Sequence, residues 1–496
     1  MDKSAVNAVI LAVLIFVVLL LQKGMEIRTP PCNAPTRFTD RLRFAGSASG
    51  VLIPLERAYS FKRGDTAKAV SPGGEVSPAH DSRSSSSVAG KGEDFFAGSS
   101  LPPGASAAVF AGQDGPRVRI AAAGDVMLHQ RCHRSVRQRS KGSFNNSGYD
   151  GLFTGMPRAF LDSDLAVANL EFPVYKQRKI ERPLVFHGEL PVLYALRRAG
   201  FRILNAANNH SYDHGRQSPA STSRLCRKAG VACPGVGPER ATARKPHMET
   251  INGVKLAFIG YSLLYNVNYN SGDPDKPHVN GYDFAGLVEE VRGAAREADG
   301  VVVNLHWGAE YRTYPLRWQY GQARRLVDAG ACLILGHHPH VPGRIQLLES
   351  DDGRKALVAY SLSNLVSNQS RGRPYGLTRL GLILKTDLVK TERGVEVKAW
   401  ESLPTWVYNH NTKKDGELIE DIHVEVVPLR IKELEALLAR EKDRKEPDRK
   451  RVRELEKRIR FYKSRSRKTA EILREPSGKT ESQIETSGLF LPAKAL

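Results

Sequence analysis

Three histidines fall within four positions of this 496-residue chain: His337, His338 and His340, in "LILGHHPHVPG" (333–343). Imidazole is a poor end for a buried apolar run unless its nitrogens bind something. The same kind of ending recurs elsewhere. "IAAAGD" stops at Asp125, "LAVANLE" at Glu171, "ILNAANNH" at Asn209 and His210, and "VVVNLH" at His306. Taken singly, each has a plain structural explanation. A lone Asp after a strand is commonly a helix cap, an Asn-Asn pair is turn chemistry, and a lone His is often a hydrogen-bonded core residue. Five such endings together point to one site. Two carboxylates, an amide oxygen and several imidazoles suit a borderline divalent cation, Zn²⁺, Mn²⁺ or Fe²⁺, rather than Ca²⁺, which prefers oxygen alone. In His338-Pro339-His340 the proline restricts the preceding residue to an extended conformation, which would project both rings to one side.

These endings need strands to carry them. From about Arg117 to Asn368, apolar runs of four to six residues alternate with helix-like stretches such as 189–200, 284–300 and 318–330, each closed by a glycine that suits a helix C-terminus. Strand–helix alternation predicts an α/β domain with mainly parallel pairing. The strands lack polar alternation, as expected when both faces are covered. In such sheets, ligands sit beyond the carboxyl ends of the strands, so the five endings would share one cleft.

Past residue 377, "LTRLGLILKTDLV", "GVEVKAWESLP" and "HVEVVPL" (423–429) predict antiparallel additions over 369–430. A basic segment (431–470) follows. Arg430 to Ala470 holds 17 Lys/Arg against 8 Asp/Glu, a net of +9. Leucines 434, 437 and 438 lie before Pro447. Val452, Leu455, Ile459 and Tyr462 follow it at helical spacing, predicting two helices broken at the proline. This segment is either a solvated pair packing one edge on the domain or a docking surface for anionic lipid or polymer. Residues 471–496 are expected to be a disordered tail.

At the other end, Ala5 to Leu21 is apolar except for Asn7, with no small-x-small cleavage site after it. Seventeen helical residues rise about 25 Å, the short end of a spanning helix. Residues 1–28 are therefore expected to be an uncleaved signal anchor, placing a single-pass protein in the cell membrane with its globular part outside the cytoplasm. Pro, Gly, Ser and Ala dominate 29–116, a flexible linker in composition. The net charge of +21 favours anionic partners. Nucleic acid is not expected, because no recognised motif accompanies the basic tail. The five cysteines show no CxxC, and Cys226 and Cys233 could pair or remain two buried thiols. "PSGKTE" (476–481) lacks the first glycine of a phosphate-binding loop, and no GxSxG is present.

Six stretches together resemble a known family: "GDVML" (124–128), "NLEFP" (169–173), "NNHSYDHG" (208–215), "LHWGAEY" (305–311), "GHHPH" (336–340) and "YSLSN" (360–364). In order and spacing they are similar to the poly-γ-glutamate synthesis (CapA-type) proteins over roughly 118–368. The resemblance implies a metallophosphatase-like β-sandwich flanked by helices, membrane association, and a role in making or exporting an anionic γ-linked glutamate polymer with other synthesis subunits. Carried over, it makes Asp125 the first metal ligand and Glu171 the bridging carboxylate of a two-ion site. Asn209, His306, His338 and His340 would be further ligands, with His210 as proton donor. His337, Glu310 and Asp213 are additional candidates.

The match has departures. Met127 stands where the superfamily's opening Asp-x-His has histidine, His129 where the family often has glycine, and Ser363 where glycine is usual. Two functional readings follow: a metal-dependent phosphoesterase or hydrolase, or a non-enzymatic accessory that handles a polyanion.

Overall fold

The computed structural model describes residues 106–109, 115–140, 146–175, 184–270, 272–369, 374–414 and 416–473. The expected anchor, most of the linker and the tail beyond 473 lie outside them. Among the described residues, no helix is long and apolar enough to cross a membrane.

In chain order the strands are β1 (Ser106–Val109), β2 (Arg117–Val126), β3 (Leu165–Leu170), β4 (Phe201–Asn205), β5 (Val236–Gly237), β6 (His247–Ile251), β7 (Val254–Ser262), β8 (His278–Val279), β9 (Gly300–His306), β10 (Ala331–His337), β11 (Ile345–Glu349), β12 (Lys355–Ala359), β13 (Asn364–Val366), β14 (Leu380–Thr391), β15 (Gly394–Lys414) and β16 (Glu417–Val426). One sheet runs β1-β15-β14-β2-β3-β4, with β13 against β2 and β16 against β15. A second runs β11-β12-β10-β9-β7-β6. The strands that end in chemistry are parallel in both sheets: β13, β2, β3 and β4 in the first, and β7, β9, β10 and β12 in the second.

The layers follow from side-chain alternation. On β2, Val118, Ile120 and Ala122 face a core shared with Phe258, Val302 and Leu335 of the other sheet. Ala121 and Ala123 face the opposite way, toward Val136, Leu193 and Cys226 on helices Gln130–Ser140, Leu190–Arg198 and Ser218–Ala229. The outer face of the second sheet is covered by helices Phe284–Glu297 and Arg317–Asp328 through Leu287, Val291, Ala323 and Leu326. Asp283 caps the first of these by accepting from Gly286 N at 2.9 Å, a contribution of about 1 kcal/mol. The α/β sandwich flanked by helices is therefore present as expected. The helices at 130–140 and 218–229 were not anticipated; their short apolar stripes lie between charged and small polar residues.

Two boundaries move. Ser106–Val109, placed by composition in the linker, pairs antiparallel with β15, because a short apolar run can extend an open sheet edge. The second basic helix runs Arg449–Leu473, past residue 470. It and helix Val427–Lys442 pack through Leu434, Leu455, Ile459 and Tyr462 onto Leu380 and Trp406. Cys226 and Cys233 form a disulfide.

The hydroxyl of Tyr462 donates to Glu425 on β16, which also lies 3.8 Å from the His423 imidazole. Burial pushes His423 down, but the hydrogen bonds to Asp421 and Glu425 outweigh it and raise the group above the ordinary histidine range. A raised folded-state pKa gives stabilisation that is complete below the unfolded value, about 6.5, and is lost as pH rises through the folded value. His423→Gln is expected to lower urea stability more at pH 6 than at pH 9. A deficit that stays constant across that range would contradict this assignment.

Candidate metal centre

Register brings the polar endings together. Across the first sheet, Asn364, Asp125, Asn169 and Asn205 are neighbours on β13, β2, β3 and β4. Across the second, Ser262, His306 and His337 form the matching row on β7, β9 and β10. Asp125, Glu171, His306 and His337 are all fully buried between the two rims. Close approach of β2 and β13 requires glycine at 124, where a Cβ would lie 1.9 Å from the Ser363 carbonyl oxygen. That carbonyl accepts from Asp125 N at 2.8 Å. Ser363 takes φ 62° and donates its hydroxyl to the Leu380 carbonyl at 2.6 Å. Serine thus keeps the close approach that its replacement of glycine put in question.

Two groups of ligand atoms result, each with all members within 4.8 Å of one another: Glu171, His306 and His338, and Asp125, Glu171 and His340. Glu171 belongs to both. Its Oε1 lies 3.7 Å from both His306 Nε2 and His340 Nε2. Asn209 Oδ1 is 2.9 Å from His306 Nε2, adding an amide oxygen beside the first group. Asp125 sits 3.1 Å from both His337 Nδ1 and His340 Nδ1 and accepts from Asn169 Nδ2 at 2.9 Å.

The expected extended conformation at His338-Pro339-His340 is not found. His338 has φ 97° and His340 φ 58°. Proline's steric bias toward an extended residue before it is overridden at His338, and it places no such restriction on His340, which follows it. The chain turns at both residues, yet the two rings stay neighbours, with centroids 5.7 Å apart, and belong to different groups. His337 touches Asp125 but joins neither group. Asp213 is engaged elsewhere, since its Oδ2 is 2.8 Å from His210 Nδ1 and accepts from Phe186 N at 2.7 Å. Glu310 is exposed and joins neither group. Met127 is buried in the helix-side core, so the missing histidine has no substitute at that position. His129 accepts from Asn368 N at 3.2 Å and packs on Phe186.

The residues fit metal binding. Glu171 Oε1, His338 Nδ1 and His337 Nε2 are buried without a hydrogen-bond partner among the described residues. Leaving such an atom unpaired costs about 1–3 kcal/mol, and more where the group is charged. Burial, then the neighbouring Asp125 charge, pushes the Glu171 carboxyl well above the ordinary glutamate range. Burial also acts to raise Asp125, but hydrogen bonds from His337 and His340 overcome it and leave that carboxyl well below its usual range. Burial, then the nearby His340, pushes His338 down to about 3. Burial and His338 likewise depress His306. Neutral imidazoles at His306 and His338 are the form that metal binding requires, and a cation beside Glu171 would displace the proton that burial favours there.

Residues 119–369, half of the chain, match the family model described as bacterial capsule synthesis protein PGA_cap. The chain belongs to that family. Within it, the capsule biosynthesis protein CapA of Bacillus anthracis is 27% identical over 265 residues, covering 52% of this chain and 61% of that protein. The PGA biosynthesis protein CapA of Bacillus subtilis is 31% identical over 277 residues, covering 55% and 68%. The chain thus spans less than two thirds of the length of the first relative and about two thirds of the second. Among solved structures, the NAD nucleotidase of Haemophilus influenzae overlaps 71% of this chain and 61% of its own, at TM-score 0.36 and 13% identity. The calcineurin-like phosphoesterase YfkN of Bacillus subtilis overlaps 59% and 91%, at TM-score 0.31 and 13% identity. Overlaps this low decide nothing about chemistry. The PGA_cap segment ends at Asn368-Gln369, before β14, and so excludes both basic helices.

Several residues of the site were not singled out from sequence. Asn169 bridges Asp125 to Asn205, which donates to its Oδ1 at 2.8 Å. Asn266 accepts from Asn209 Nδ2 at 3.1 Å, which leaves the Asn209 oxygen turned toward His306. Asn169 and Asn205 each interrupt an apolar run just before its polar end, a signal available in the sequence. Asn266 lies in a long polar loop and carries none.

Proposed function

We propose that the protein is a membrane-anchored participant in poly-γ-glutamate capsule synthesis or export, with a metal-dependent phosphoesterase or hydrolase site. The sharing of Glu171 by two ligand groups at one rim carries this reading. Asp125, Glu171, Asn209, His306, His338 and His340 would hold the cations. Bound there, divalent ions supply Lewis acidity that polarises the attacked group and offsets its charge. The chain's own part is proton delivery: Asp213 fixes His210 through Nδ1, leaving Nε2 to protonate a leaving oxygen.

An extracytoplasmic location is supported by the Cys226–Cys233 bridge, since disulfides persist in oxidising compartments, and by the apolar segment at residues 5–21. The γ-glutamate polymer and the other synthesis subunits are the partners this reading assigns.

Turnover of a model phosphodiester by the full chain is expected to require added Mn²⁺ and to vanish on chelation. Metal-independent turnover, or none under any condition, would leave the accessory role, in which the same residues bind a cation without catalysis.

A further inference from the structure

The helix Arg449–Leu473 lies outside the family segment, and the metal centre gives it no task. Its inner face is fixed. Leu455, Ile459 and Tyr462 are buried, Tyr462 is bonded to Glu425, and the Arg465 guanidinium sits over the Trp406 and Phe461 rings. Its outer face is strongly basic, the helix holding 11 Lys/Arg against three Glu, of which Glu454 and Glu471 are exposed. Lys450, Arg453, Lys457, Arg460 and Arg467 follow one another at steps of three, four, three and seven residues, all exposed. At 3.6 residues per turn these positions share one side, and at 1.5 Å per residue they span about 25 Å.

Several other cations nearby are paired. Lys463 pairs with Glu435, Lys442 with Glu456, Arg451 with Glu441 and Lys468 with Glu471. The five of the stripe make no ion pair among the described residues. A face that served only to keep the helix solvated would balance the two signs more evenly. The companion helix Val427–Lys442 does so, setting Glu433, Glu435 and Glu441 among Arg430, Lys432, Arg440 and Lys442.

We propose that this stripe is a docking ridge for a linear polycarboxylate, the poly-γ-glutamate chain itself. The proposal rests on the capsule-polymer reading above, but not on catalysis at the metal centre. A row of cations on a rigid helix matches a chain bearing one carboxylate per residue, and each contact releases condensed counterions, so many weak pairs add up. A lipid surface is the less suitable occupant. A helix that lies in a bilayer interface buries an apolar face there, whereas this helix spends its apolar face on the domain. None of the exposed large hydrophobic residues among the described ones lies on it.

The test uses the full chain and poly-γ-glutamate of defined length, with phosphatidylglycerol vesicles in parallel. Wild-type binding of the polymer is expected to weaken steeply as salt rises. The triple variant Arg453→Glu, Lys457→Glu, Arg460→Glu is expected to lose about tenfold or more in affinity. The glutamine triple at the same positions should lose less, and it guards against misfolding of the reversed variant. Arg224→Glu, Arg227→Glu, Lys228→Glu makes the same charge change on exposed residues of another helix and is expected to stay within about twofold. Equal losses in the ridge and control triples, or vesicle binding without polymer binding, would overturn the proposal. Metal content and Mn²⁺-dependent turnover of the ridge variant should match wild type. A failure of catalysis is thereby told apart from a failure of docking.

Discussion

His210→Ala is expected to lower kcat on a phosphodiester by about 10²–10⁴-fold, the usual worth of a positioned proton donor, while metal content stays near wild type. The separation follows from geometry. His210 joins neither ligand group, and its Nδ1 is bound to Asp213 rather than to a ligand residue. Asp213→Asn should give a smaller loss of the same kind, because the ring stays in place but loses the carboxylate charge that holds its proton. Phe186 holds this arrangement from the other side, its backbone N–H donating to Asp213 and its ring 4.4 Å from that of His210. Both rates would be read at saturating Mn²⁺ alongside elemental analysis. If His210→Ala keeps full activity, the leaving oxygen is protonated by some other group and the assignment is wrong. If it loses its metal, His210 is a ligand instead.

Glu171→Gln is expected to abolish binding at both cation positions, whereas His338→Ala and His340→Ala should each disturb mainly one. Glu171 is the one residue common to the two groups, and glutamine removes its charge with little change in volume. Loss of a shared carboxylate should reduce affinity by more than the 10–100-fold typical of an outer-shell partner. Metal content per chain after dialysis gives the primary reading, and the rise in melting temperature on adding Mn²⁺ gives a second. Cation binding stabilises the folded state by RT ln(1 + [L]/Kd), so this rise should disappear in Glu171→Gln. It should persist in part in the two histidine variants. Undiminished metal in Glu171→Gln would mean that the carboxylate is not shared, and the two-ion reading would fail.

Much of the site was legible because strand ends are written locally. A continuous apolar run closed by Asp, Glu, Asn-His or His is visible one element at a time, and parallel α/β pairing sends all such ends to one edge. Asp125, Glu171, Asn209, His306 and His340 could be named together on that ground, and the structure gathers them. The basic helices broken at Pro447 were likewise readable from spacing alone. The pairing of Ser106–Val109 with β15 was not, because a four-residue strand takes its identity from the edge it meets.

What only the tertiary structure decided is how the gathered side chains divide the work. The sequence placed His338 and His340 side by side on an extended segment; the rings are neighbours, but the backbone turns at both residues and the rings enter different ligand groups. Asp213 and Glu310 looked equivalent as spare carboxylates. One is buried against His210 and the other lies in solvent, a difference of position that residue type does not record. The donor set was therefore fixed by composition at the strand ends. Which donor faces which depends on the register of two sheets contributed by segments hundreds of residues apart, and no local pattern encodes that.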